Sequence, residues 1–255
     1  MLISTLKAIK YICQCKLLAL ANAIKAALLS GLVLLMGDRS WPLDQAGNSE
    51  GAEGDLAERY GWMLEGEWPR AEAEVVLKAA EGIERYVERV AEVDGRRWMQ
   101  TYVGDLTFHH GAWLTEVFNA NMTLPGGHIL VLEGFGGSVE PYTDMAHEVA
   151  HVIDNKQGGK LPATLVGGGP ADEMVTAVGG NPELCKPRIL CPEDYGPRMG
   201  GAEGWPDGMY ATTGVAEDFA ETFAYAAFYP ERVPTGRLAW MDGWLTETVE
   251  QMGAK

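Results

Sequence analysis

Two histidines four residues apart, with a glutamate beside the first, lie inside an otherwise apolar stretch: Met145-Ala-His147-Glu148-Val149-Ala-His151-Val152-Ile153. On an α-helix such residues share one face about one turn apart, so both imidazoles can point at a single metal ion. Met145, Val149, Val152 and Ile153 would form an apolar face for the core, and Pro141 stands where a helix start tolerates proline. Glu148, one residue on from His147, is offset from the ligand face and can reach a water held by the metal. Zinc lowers the pKa of such a water toward neutrality, and the carboxylate would accept its proton during attack on a carbonyl. His147 and His151 are therefore the expected metal ligands and Glu148 the expected catalytic base.

A hydrolytic zinc site normally takes three protein ligands and leaves the fourth position to water. A third histidine in the extended H-E-x-x-H-x-x-G-x-x-H pattern is excluded, because Asp154 and Gln157 occupy the required positions and no histidine follows His151. A carboxylate is the expected third ligand. The stretch Gly214-Val-Ala-Glu217-Asp-Phe-Ala-Glu221-Thr-Phe-Ala-Tyr-Ala-Ala-Phe228 reads as a helix, with Thr212 or Thr213 as its cap. It is apolar nearly all round apart from Glu217, Asp218, Glu221 and Thr222, which points to burial. Glu217 and Glu221 lie four apart on one face, and two buried like charges repel unless cations compensate them. Zinc against Glu217, and the outer N–H of a ligand histidine against Glu221, would supply that compensation.

The rest of the chain frames this pair of helices. A helical period at Ala71, Val75, Val76, Ala79, Ile83, Val87 and Val90 predicts an amphipathic helix ending near Gly95. Residues 97–108, with Trp98, Tyr102 and Val103, read as strand with a turn at Gly104-Asp105, and 128–132 as a second strand. The latter is expected either as an internal strand or as an edge along which an extended peptide adds. Residues 158–209 carry scattered Gly and Pro and read as a loop-rich insertion. Within it Cys185 and Cys191 are expected to close a small disulfide loop in an oxidising compartment. His109-His110 could form an extra metal site, but on a strand they would point to opposite faces, and a structural or surface role is the expectation. Asp154 is expected behind the ligands or in the scaffold, and Trp240 and Trp244 in the packing of the last helix. Asn121-Met122-Thr123 is a bare glycosylation sequon.

Charge separates the chain into two objects. The whole carries 36 acidic and 20 basic residues, a net −16. Residues 1–37 hold four lysines (Lys7, Lys10, Lys16, Lys25) and no acid, so 16 basic and 36 acidic residues remain in the body, a net −20. Such a body is not a surface for neutralising nucleic-acid phosphates. In the basic end, 26–36 has the length of a signal-peptide apolar region, and 17–36 is long enough to span a bilayer but contains Lys25. Residues 1–37 are therefore expected to be a signal peptide or an uncleaved N-terminal membrane anchor, the remaining reading being a cytosolic amphipathic helix. Both leading readings place the body outside the cytoplasm. Residues 38–56 read as a linker and 57–255 as the folded domain.

His147-Glu-Val-Ala-His151-Val-Ile-Asp154 followed by Glu217-Asp-Phe-Ala-Glu221-Thr-Phe223 resembles the gluzincin metallopeptidases, specifically the anthrax lethal factor catalytic domain and the Pro-Pro endopeptidases. The resemblance implies an α+β, zincin-like domain with a small mixed sheet, an active-site helix and a C-terminal glutamate helix. It implies Glu217 as zinc ligand and, because the family places a tyrosine seven residues before that glutamate, Tyr210 as the donor that stabilises the oxyanion. Ala150 stands where the family commonly has glycine, and the interval from His151 to Glu217 is longer than in the lethal-factor domain. The expected function is an exported zinc endopeptidase acting on a peptide or protein substrate. The alternative is a non-catalytic exported domain that uses the same residues for structural metal or partner binding.

Overall fold

The apolar positions of the 70–91 segment come together along one side of a helix and build the centre of the fold. In the computed structural model of the chain, α1 is Ala52–Tyr60, α2 is Arg70–Ala91, α3 is the short Gly95–Trp98, α4 is Pro141–Gln157, α5 is Pro170–Ala177, α6 is Val215–Phe228 and α7 is Thr235–Gly253. The strands are β1 (Met63–Glu65), β2 (Thr107–His110), β3 (Met122–Leu124) and β4 (His128–Val131). The structure describes residues 51–112, 115, 120–124, 126–135, 140–157, 168–185, 205 and 210–253, all within the unit Ala46–Lys255. The expected targeting segment, 1–37, lies outside them. Among the described residues no helix is long and apolar enough to cross a membrane.

The class is α+β, mostly helical with one small mixed sheet. Strand order is β1-β2-β4-β3, with β1, β2 and β4 parallel and β3 antiparallel to β4. Period-two alternation sends Phe108 and Ile129, which are register partners, into the core. Strand β4 lies between β2 and β3, so of the two readings of 128–132 the internal strand is the one found. The edge belongs to β3, a segment too short to register in the sequence pattern.

Buried residues of α2, including Val76, Ala79, Ile83 and Val87, face the core, whereas Ala71 is exposed in the first turn. A Cβ on Gly82 would lie 2.2 Å from the Phe228 ring, so only glycine lets the end of α6 approach α2 this closely. Helix α2 ends at Ala91, short of Gly95, with Glu92 in the left-handed region at φ 53°. Asp94 caps the next turn by accepting from Arg97 N at 3.0 Å.

Two expectations are corrected, the strand over 97–103 and the extent of the linker. Residues 97–103 are helical, not strand: α3 runs into a π-helical turn, Met99–Val103, closed by Gly104 N donating to Met99 O at 2.9 Å. Trp98 and Tyr102 are four apart and stack at 5.0 Å, a helical contact that their aromatic, strand-favouring character concealed. The linker expected over 38–56 gives way to α1 at Ala52, where Leu56 and Tyr60 are fully buried. The insertion expected over 158–209 contributes a helix to the core. Pro170 opens α5, whose Ala171, Met174 and Val175 are buried. The remainder of 158–209, apart from 168–185 and Trp205, lies outside the described residues. Trp240 and Trp244 stack at 6.1 Å on α7 and meet Phe219 of α6 edge-on.

Candidate metal centre

Helix α4 presents its histidines one turn apart, as the four-residue spacing requires, while Met145, Val149, Val152 and Ile153 anchor its opposite side in the core. Helix α6 packs against α4. Ala146 and Ala150 on α4 and Ala220 and Ala224 on α6 are fully buried, and such small side chains let two helices approach closely. The approach carries Glu217 to the histidines. Its Oε2 lies 3.0 Å from His147 Nε2 and 3.2 Å from His151 Nε2, and the two Nε2 atoms are 3.0 Å apart.

Three ligand atoms thus close a triangle. A tetrahedral ion with bonds of about 2.0–2.1 Å to nitrogen and oxygen would space its ligands at about 3.3 Å, close to what these residues offer. Two imidazoles and one carboxylate suit a borderline divalent cation better than magnesium or calcium. Among the described residues this is the one group of three or more His, Cys, Asp or Glu side chains arranged to hold a metal ion.

The electrostatics of the site follow from burial and from the charges its side chains bring together. Burial disfavours the charged form of His151, but Glu217 beside it, with Glu148 and Asp154 further off, outweighs burial and raises its pKa from 6.5 to about 9. Burial pushes Glu217 up, yet His151 and His147 hold it well below the usual carboxylate range. In the metal-free protein the pair therefore stabilises the fold over a window. The histidine contribution is complete below about pH 6.5 and is lost as pH rises through about 9, and the glutamate contribution is lost only in strong acid.

A metal ion bound at His151 would compete with the proton that Glu217 favours on its ring. Calorimetry in buffers of different ionisation enthalpy should find close to one proton released per metal ion at pH 7. Affinity should rise with pH above 7 and level off as His151 loses its proton. Binding with no proton release would contradict a protonated His151.

Glu148 is buried and stands outside the ligand triangle. The hydroxyl of Thr123 on β3 lies 2.6 Å from Glu148 Oε2 and 2.8 Å from its backbone carbonyl, so the sheet edge holds this carboxylate. The sequence singles out Thr123 only as part of a sequon. The Asn121 amide oxygen of that sequon is engaged as well, accepting from Leu132 N at 2.8 Å.

Glu221 Oε1 lies 4.0 Å from His147 Nδ1, an ion-pair distance rather than a hydrogen bond. Burial, reinforced by Glu217, Asp144 and Glu140, raises the Glu221 pKa, while His147 opposes the shift. Tyr210 opens the turn Tyr210–Thr213 that leads into α6, and its side chain lies outside the described residues. The short 3₁₀ turn takes up both Thr212 and Thr213, and Gly214 stands at the N-cap of α6. Asp154 is fully buried and accepts from Ala171 N at 3.1 Å, tying the start of α5 to α4. Cys185 is buried and disulfide-bonded, whereas Cys191 lies outside the described residues.

A further group near the site had no signature in the sequence. Asp218, next to Glu217, is buried and receives Arg237 Nε at 2.7 Å and Nη2 at 2.8 Å, with Trp205 Nε1 donating to it at 2.9 Å. The bidentate pair joins α6 to α7 immediately after Glu217. Only the position of Asp218 beside a candidate ligand could have drawn attention to it. His110 contacts Glu72 at 2.7 Å beneath Trp68, and His109 points to the other face of the sheet, so neither belongs to this centre. Comparison of the chain with family models, with curated proteins and with solved structures returned no match.

Proposed function

We propose that the protein is a zinc-dependent endopeptidase, a gluzincin of zincin-like fold resembling the lethal factor and Pro-Pro endopeptidase domains. The observation that carries this reading is the convergence of His147, His151 and Glu217, with a buried Glu148 held beside them but outside the ligand triangle. Zinc bound there would supply a water of lowered pKa and polarise the scissile carbonyl.

The chain's own residues do the rest. Thr123 engages Glu148 Oε2, so proton transfer falls to Oε1, first from the attacking water and then to the leaving amine. Glu221 lies 4.0 Å behind His147 Nδ1, where its charge favours a proton on that nitrogen. Tyr210, on the turn that enters α6, donates to the oxyanion. Among the described residues no strand pairs beyond β3, and an extended peptide adding there would run past Thr123 and Glu148. The basic segment 1–37 would export or tether a body of net charge −20, whose partner is a peptide or protein rather than nucleic acid.

The test is cleavage of a peptide library by the purified protein, with and without a chelator. The expected outcome is cleavage that the chelator stops and added zinc restores, together with a defined bond preference. A zinc-loaded protein that cleaves no peptide overturns the reading and leaves a metal-binding domain without hydrolytic activity.

A further inference from the structure

The face of the sheet opposite Phe108 and Ile129 carries a second arrangement of imidazoles. The β2–β4 register pairs Thr107 with His128 and His109 with Leu130, which puts His109 and His128 diagonally on one face. The β1–β2 register sets Glu65 directly opposite His109 on that same face. His109 Nε2 lies 3.0 Å from His128 Nδ1, the separation found between the nitrogens of His147 and His151. The other nitrogen of His109, Nδ1, lies 3.1 Å from Glu65 Oε2.

From these positions we propose that His109 and His128 form a second metal site, which binds a borderline divalent cation such as zinc, nickel or copper through the two imidazole nitrogens. The Glu65 carboxylate holds the proton of His109 on Nδ1 and so leaves a lone pair on Nε2, directed toward His128. A carboxylate behind a ligand histidine fixes the tautomer and raises ligand basicity in metal sites generally. His128 is exposed at the start of β4, so water can complete the coordination shell. Nitrogen donors select zinc, nickel and copper over calcium and magnesium. The bound ion would link β2 to β4 at the end where His128 also pairs with Leu124 of β3.

This site needs neither the peptidase reading nor the first metal centre, and it is tested separately from both. Zinc is titrated into the full chain by calorimetry, with metal analysis after dialysis. The wild type should take two zinc ions per chain. His128→Ala should take one, and Glu65→Gln should bind the second ion roughly tenfold more weakly. The His147→Ala/His151→Ala chain should retain one ion, and a copper EPR signal from it should carry the signature of two imidazole nitrogens. If wild type and His128→Ala bind the same number of zinc ions with the same affinity, the contact is an imidazole–imidazole hydrogen bond and the proposal fails. The same conclusion follows if the His147→Ala/His151→Ala chain binds none.

Discussion

For the proposed peptidase, Glu148→Gln is expected to lower kcat for a cleaved peptide by about 10²–10⁴-fold while bound zinc is retained, the span general acid–base groups usually contribute. Gln is close to Glu in size, and its amide oxygen can accept from the Thr123 hydroxyl, so the local geometry is kept and only the capacity to take a proton is lost. Zinc retention follows because Glu148 stands outside the triangle of His147, His151 and Glu217. Thr123→Val separates placement from chemistry. It leaves a carboxylate that can accept a proton but no longer holds it at 2.6 Å from the sheet edge. Its expected cost is about tenfold in kcat, the rate equivalent of a hydrogen bond worth ~1.4 kcal/mol. Single-turnover cleavage and zinc content measure both variants. Full activity in Glu148→Gln would sink the assignment of the base, and an unchanged kcat in Thr123→Val would show that its hydrogen bond does not place the carboxylate.

Arg237→Met should destabilise the fold by about 3–5 kcal/mol, because it leaves the Asp218 carboxylate buried without its bidentate partner. Both side chains are 1% exposed, and the paired distances are 2.7 and 2.8 Å, so water cannot take the place of the guanidinium. Trp205 would remain as a donor to one oxygen, which does not neutralise the charge. The effect should reach the metal: Asp218 is adjacent to Glu217 on α6, so loosening the α6–α7 contact should also weaken zinc binding. The double variant Asp218→Leu/Arg237→Met removes both charges and should recover most of the lost stability, since buried ion pairs are often replaceable by apolar side chains. Urea unfolding of the two variants reads the difference. A single variant within 1 kcal/mol of wild type would show that the pair is not the clamp described.

The long helices were legible in the sequence because their signals are local. Pro141 and the apolar set around His147 mark α4, and the run after Gly214 marks α6, whose observed bounds Val215–Phe228 coincide with those expected. Helical spacing also placed His147 and His151 on one face, since four residues on a helix is a fixed rotation. Other features depend on contacts the sequence does not display. Strands β1 and β3 have three residues each, too few for an alternation to stand out. The π-helical turn at Met99–Val103 looked like strand because aromatic and β-branched residues are common to both. Thr123 and Arg237 are ordinary residues until β3 and α7 bring them to α4 and α6.

The sequence by itself determined which residues are equipped for metal chemistry: two imidazoles at helical spacing, a glutamate offset from them, and a second helix of acids on an apolar background. Side-chain type and local periodicity are sufficient for that. The tertiary structure alone decided that Glu217 reaches both histidines at 3.0 and 3.2 Å. It also decided that Glu148 is held from the edge strand by Thr123, and that His109 and His128 meet across β2 and β4. These contacts join residues far apart in the chain, and their distances follow from how helices pack and strands pair.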